Sequence, residues 1–232
     1  MMSRAALVLM VGLFIWHSAQ PVAAQVAPSA AEVGQYSGLQ AAAHAGDTAR
    51  LRALTSVPAA ALDARDGRGR SALHIATFAR QREAIRILAK AGAKLELLDN
   101  DRYDAVTIAA VANDPETLAV LLSLGASARL TTSVYDGTAL IAAAHLGHAE
   151  VVRLLIAVGA PLDHVNNLHW TAVIESVVLG NGGSAHQQTL SALLSAGANT
   201  QLPDRNGATP LQLARARGFR EMVALLEKAG AR

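Results

Sequence analysis

Two marks recur along this 232-residue chain at a spacing that is regular and too short for a domain. The first is a small or polar residue, then a small one, then an aliphatic; it begins at Ser37, Ser71, Asp104, Thr138, Thr171 and Thr209, at intervals of 34, 33, 34, 33 and 38. The second is the pair Gly-Ala, at Gly92, Gly125, Gly159, Gly197 and Gly230, at intervals of 33, 34, 38 and 33. Both marks stretch once, within the same unit, so one insertion of about five residues explains both. A repeat this short is a supersecondary piece that cannot bury its own apolar face. Each copy must lean on the next.

Within a unit the local signals point to two helices and a turn. Ala139, Leu140, Ala142, Ala143 and Ala144 make a short helix of small residues, and Gly147 breaks it. Val151, Leu154, Leu155 and Val158 then fall at helical spacing, closed by Gly159-Ala160. The following Pro161, Asp163, Asn166 and Asn167 are turn residues. Neither helix is long enough to stand alone in water. With aromatics only 3% of the chain, the core must bring backbones close over Ala, Leu and Val.

The stretch DGTALIAAAHLGHAEVVRLLIAVGA, residues 136–160, closely resembles the ankyrin repeat, as does DRNGATPLQLARARGFREMVALLEKAGA, residues 204–231. The unit from Asp66 keeps the Leu73-His74-x-Ala76 core of that motif. The resemblance spans six units, about 35–65, 66–98, 99–131, 132–165, 166–203 and 204–232. It implies an all-α solenoid of helix-turn-helix units joined by hairpin loops, whose groove binds another protein and carries no catalysis. His74, at the repeat's Leu-His position, is expected to tie the turn to the helix. The departures are Pro58-Ala59 for Gly-Ala in the first unit, no glycine in residues 101–114 of the third, and the insertion around 179–188 in the fifth. Its glycines suggest a mobile loop between that unit's two helices.

The beginning of the chain suggests export. Arg4 precedes an apolar run from Ala5 to Trp16, and Val22 and Ala24 are small residues where a signal peptidase reads. Cleavage is expected after Ala24, leaving 25–34 as a short flexible leader. The run is broken by His17, Ser18, Gln20 and Pro21, which disfavours a membrane span, and no insertion is expected after cleavage. A periplasmic location is the reading preferred, with the extracellular medium as the other.

Chemistry is sparse. The chain has no cysteine, which excludes disulfides, thiolate metal sites and a cysteine nucleophile. Twenty basic residues against 18 acidic ones give no argument for nucleic acid. Gly180 to Ser184 lacks the lysine of a phosphate loop. His145 and His148 are three apart but have no third ligand nearby in sequence, so no metal and no cofactor is expected. A hydrolase or metal-binding protein on a repeat scaffold would need residues that only the fold could gather.

The large side chains are more informative. Tyr36, Tyr103 and Trp170 each sit immediately before the first mark of a unit, and Tyr135 lies in the corresponding turn of the fourth. By the resemblance these positions project toward the groove, and interfaces concentrate their energy in Trp, Tyr and Arg. Tyr103, Tyr135 and Trp170 are therefore read as partner-binding anchors, with Arg68, Arg70, Phe78 and Tyr36 beside them. The competing reading is that the turn aromatics stiffen the stack. Residues 65–94 carry eight basic and two acidic side chains, residues 95–124 one basic and six acidic. Either adjacent units neutralise one another or the surface is dipolar and steers a charged partner. The partner is another protein: the chain reads as a periplasmic scaffold or accessory factor, or alternatively as a secreted effector or toxin-neutralising protein.

Overall fold

A computed structural model describes residues 25–57 and 61–232. The expected signal peptide, its cleavage point and Pro58-Ala59 lie outside the described residues. A short helix α1 (Ala30–Gln35) is followed by six antiparallel pairs. These are α2 (Gly38–Ala45) with α3 (Thr48–Thr55), α4 (Ala72–Phe78) with α5 (Arg82–Lys90), and α6 (Ala105–Val111) with α7 (Pro115–Ser123). Then come α8 (Ala139–Leu146) with α9 (Ala149–Ala157), α10 (Ala172–Val178) with α11 (Ser184–Ser195), and α12 (Pro210–Ala216) with α13 (Arg220–Lys228). First helices pack on first helices and second on second, giving two layers. No strand forms among the described residues; an isolated bridge joins Thr132 to Gly137.

The two sequence marks turn out to be the two ends of this unit. Side chains of Asp104, Thr138, Thr171 and Thr209 cap the first helices by accepting the backbone N–H three residues on. At the Gly-Ala mark the glycines are left-handed, with φ from 79° to 97° at Gly92, Gly125, Gly159, Gly197 and Gly230. That turn lets the next alanine N–H reach back to a leucine carbonyl, as in Ala93 to Leu88 and Ala126 to Leu121. The same leucines, Leu88, Leu121, Leu155, Leu193 and Leu226, have no exposed surface. One motif thus ends the helix and seats its largest core residue. Ala76, Ala109 and Ala143 between the layers are equally buried, and their small size sets the close approach of the first helices.

Two segments differ from expectation. The leader is not featureless: Ser29 and Glu32 form a reciprocal cap that starts α1. The insertion is not a free loop either. Part of it lengthens α11 to 12 residues against nine in α9, and the rest is tied down. Gln187 Nε2 donates to Gly182 O at 2.8 Å, His186 Nε2 to His145 O at 2.9 Å, and a Cβ on Gly182 would strike the ring of Phe219. Glycine here allows close packing on the sixth unit.

Candidate partner-binding surface

Each unit from the second onward presents a hairpin tip, and the tip follows from one side chain. Asp66 Oδ1 accepts from the N–H of Arg68 and Arg70, Asp99 Oδ1 from Asp101 and Tyr103, Asn166 Oδ1 from Leu168 and Trp170, and Asp204 Oδ1 from Asn206 and Ala208. Ser133 Oγ does the same for Tyr135 and Gly137 in the fourth unit. An acceptor at the start of the tip therefore folds the next four residues back on themselves. The tips join sideways: Asn100 N–H donates to Arg68 O, Ser133 to Arg102 O and Asn167 to Tyr135 O, each at 2.9 Å.

This geometry separates residues that look alike in sequence. The residue in the middle of the tip, Arg68, Asp101, Tyr135, Leu168 or Asn206, points outward and is exposed or half-exposed in every unit. The residue just before the helix cap, Arg70, Tyr103, Gly137, Trp170 or Ala208, is buried in three units and half-buried in two. Tyr103 is 7% exposed and Arg70 2% exposed. Burial raises the Tyr103 phenol above its ordinary value. Tyr103 is no surface anchor, which corrects the sequence expectation for it, while Arg70 is covered where the leader's Glu32 and Val26 meet it. Trp170 shares their position and is half-buried.

The others divide as follows. Tyr135 is half-exposed at the tip, Phe78 is half-buried at the end of α4, and the Arg68 side chain is 53% exposed. Tyr36 is half-buried, and its hydroxyl donates to Asp66 Oδ2 at 3.1 Å. Residues that the sequence reading missed lie beside Tyr135 and Trp170. Val134 is 62% exposed and Val165 44%, on adjacent tips joined by Asn167 Nδ2 donating to Val134 O. Exposed valines between hairpin polars were the available signal.

Below the tips, polar residues lock the first helices. His74 Nδ1 accepts from Ser71 N–H at 3.1 Å, which places its proton on Nε2, donating to Leu97 O at 2.9 Å and Tyr103 O at 3.2 Å. It joins the second unit to the third, a structural role of the kind expected. Burial pushes the imidazole down to about 4. His148 Nδ1 bonds Ala110 O at 3.0 Å, and burial, with His186 and His145 nearby, lowers its pKa. His145 instead faces Glu175 at 3.2 Å, whose other oxygen accepts from Asn166. Among the described residues no group of three or more metal-capable side chains converges. The oppositely charged second and third units pair across their boundary: Arg82 Nη2 lies 3.2 Å from Asp114 and 2.7 Å from Glu116, and Arg80 Nε 3.5 Å from Asp114. Neutralisation between neighbours accounts for these four charges, Arg80, Arg82, Asp114 and Glu116.

The chain has clear relatives. Residues 106–198 match a family model described as ankyrin repeats (3 copies). It is 32% identical over 167 residues to the ankyrin repeat protein YahD of Escherichia coli (strain K12), covering 72% of this chain and 83% of YahD. The crystal structure of an ankyrin repeat domain from Acinetobacter baumannii AYE superimposes with a TM-score of 0.78 at 44% identity, over 84% of this chain and 98% of that one. The ankyrin repeat domain of Bcl-3, a member of the IkappaB protein family, gives a TM-score of 0.78 at 26% identity, over 85% of this chain and 88% of its own. The capped helix pairs, the glycine-turned helix ends and the row of hairpin tips are shared features of one architecture, and the chain belongs to the ankyrin-repeat family.

Proposed function

We propose that this protein is a binding scaffold that engages another protein through its hairpin tips at the fourth and fifth units and has no catalytic step of its own. The observation that carries the reading is the apolar surface on those two tips. Val134 and Val165 are exposed beside half-exposed Tyr135 and half-buried Trp170, whereas the second, third and sixth tips present Arg68, Asp101 and Asn206. Apolar side chains held in water on a rigid row, free of core duty, suit a protein partner. Export to the periplasm is part of the proposal and is supported by the leader pattern in residues 1–24. No helix among the described residues is long and apolar enough to cross a membrane.

The test is affinity capture from periplasmic extract with the parent and a Tyr135→Ala, Trp170→Ala double variant. A protein kept by the parent and lost by a folded variant supports the reading. Equal retention by both moves the interface elsewhere. Fractionation of the native protein tests export: recovery in the cytoplasm with its first 24 residues intact would refute it.

A further inference from the structure

The leader helix α1 lies against the tip of the second unit, and the contact has an unusual basis. None of residues 25–35 is buried. Against that tip the segment is held by charge and hydrogen bonding: Glu32 Oε1 sits 2.6 Å from Arg70 Nη2 and 3.3 Å from Arg68 Nε, and Arg70 Nη1 reaches Val26 O at 3.5 Å. Arg70 is otherwise fixed by its own hairpin, its Nε on Asp66 Oδ2 at 2.8 Å. Asp66 in turn accepts from Tyr36 and from two backbone N–H groups. The Arg70 guanidinium is therefore set in place by the repeat, the half-exposed Arg68 guanidinium stands beside it on the same hairpin, and the two are bridged by a single carboxylate oxygen from a segment with no share in the core. Hydrogen bonds from Ser29, and behind them Arg70, hold the Glu32 carboxyl down to about 2, so it stays ionised at any physiological pH.

We infer that Arg68 and Arg70 form a clamp for a carboxylate of an acidic segment in a partner protein, and that Glu32 occupies the clamp as a built-in competitor. A helix of six residues, none of them fully buried, has little to hold it once its ion pairs are exchanged. An incoming glutamate or aspartate replaces Glu32 bond for bond. The neighbouring Asp66 carboxylate favours a singly charged carboxylate over a phosphate dianion, whose second charge it would repel. The inference deepens the scaffold reading and rests on it, since it adds a polar contact two tips away from Tyr135.

The test uses the full chain and a fluorescent hexaglutamate peptide, with hydrogen exchange read at the amides of residues 30–35. Glu32→Gln should exchange faster across α1 and bind hexaglutamate about tenfold more tightly than the parent, the equivalent of losing one competing charge-assisted contact. Adding Arg68→Gln should remove that gain, and inorganic phosphate at the same charge concentration should compete poorly. Unchanged peptide affinity in Glu32→Gln overturns the inference, whether or not α1 exchanges faster. So does a gain that survives Arg68→Gln. The outcome is independent of Tyr135 and Trp170. A peptide gain with partner capture unaffected by the double variant would sink the tip reading and leave the clamp standing.

Discussion

Lowering the pH from 7 to 4 should cost the fold about 3 kcal/mol through His74 alone. The ring is held neutral by geometry: its Nδ1 accepts the Ser71 N–H, so a second proton has no place to go without breaking that bond. Burial depresses the group from 6.5 to about 4. An unfolded chain takes up the proton near 6.5, the folded one only near 4. The stability is therefore complete above pH 6.5 and drains away as the pH falls through 4. A gap of about two and a half pH units at roughly 1.36 kcal/mol each gives the figure of about 3 kcal/mol, as an order of magnitude. Urea denaturation followed by circular dichroism at pH 7 and pH 4, on the parent and on His74→Gln, isolates it. The variant loses the same hydrogen bonds at both pH values, and His148 titrates in both proteins, so those terms cancel. The parent should lose about 3 kcal/mol more than the variant between the two conditions. A parallel loss in both, or an imidazole titration by NMR with its midpoint at 6 or above, would refute the reasoning.

Asp104 is 1% exposed at a cap where the later units use Thr138, Thr171 and Thr209, and burial raises its carboxyl above the ordinary value. Asp104→Thr should keep the bond to Thr107 N–H, remove the buried charge and stabilise by about 1 kcal/mol at pH 7 in urea titrations. Because the folded pKa is raised, the parent regains stability on acidification, so the advantage should shrink at pH 4. Leu121→Ala, in the seat formed by the Gly125 turn, should cost about 2–5 kcal/mol by the same assay. Gly182→Ala should cost about 1–2 kcal/mol for its left-handed backbone alone. The added methyl would also displace Phe219, so hydrogen exchange in α12 and α13 should quicken while α4 to α7 stay unchanged.

The fold was legible because two short-range rules repeat in register. A cap residue three positions before its N–H and a glycine at a left-handed helix end are both local, and four copies of the first with five of the second leave little freedom. The tips were less legible. Tyr103 and Tyr135 both look like turn aromatics, but they sit two places apart in the hairpin scheme, and that difference decides burial. The pairing of Glu32 with Arg70 spans 38 residues and leaves no periodic trace. The insertion misled for a related reason: glycine signals flexibility in isolation, yet Gly182 is a glycine because Phe219 comes too close for anything larger.

The row of tip-to-tip hydrogen bonds bears on how the molecule fails under load. Backbone bonds tie the second tip to the third, the third to the fourth and the fourth to the fifth. The sixth is tied by the side chain of Arg205, whose Nη2 donates to Asn167 O at 2.8 Å. A flexible arm yields before a backbone pair does, so tension applied along the stack is relieved first at its C-terminal joint. Peeling then starts at the last unit, and the tips carrying Tyr135 and Trp170 keep their spacing while it does.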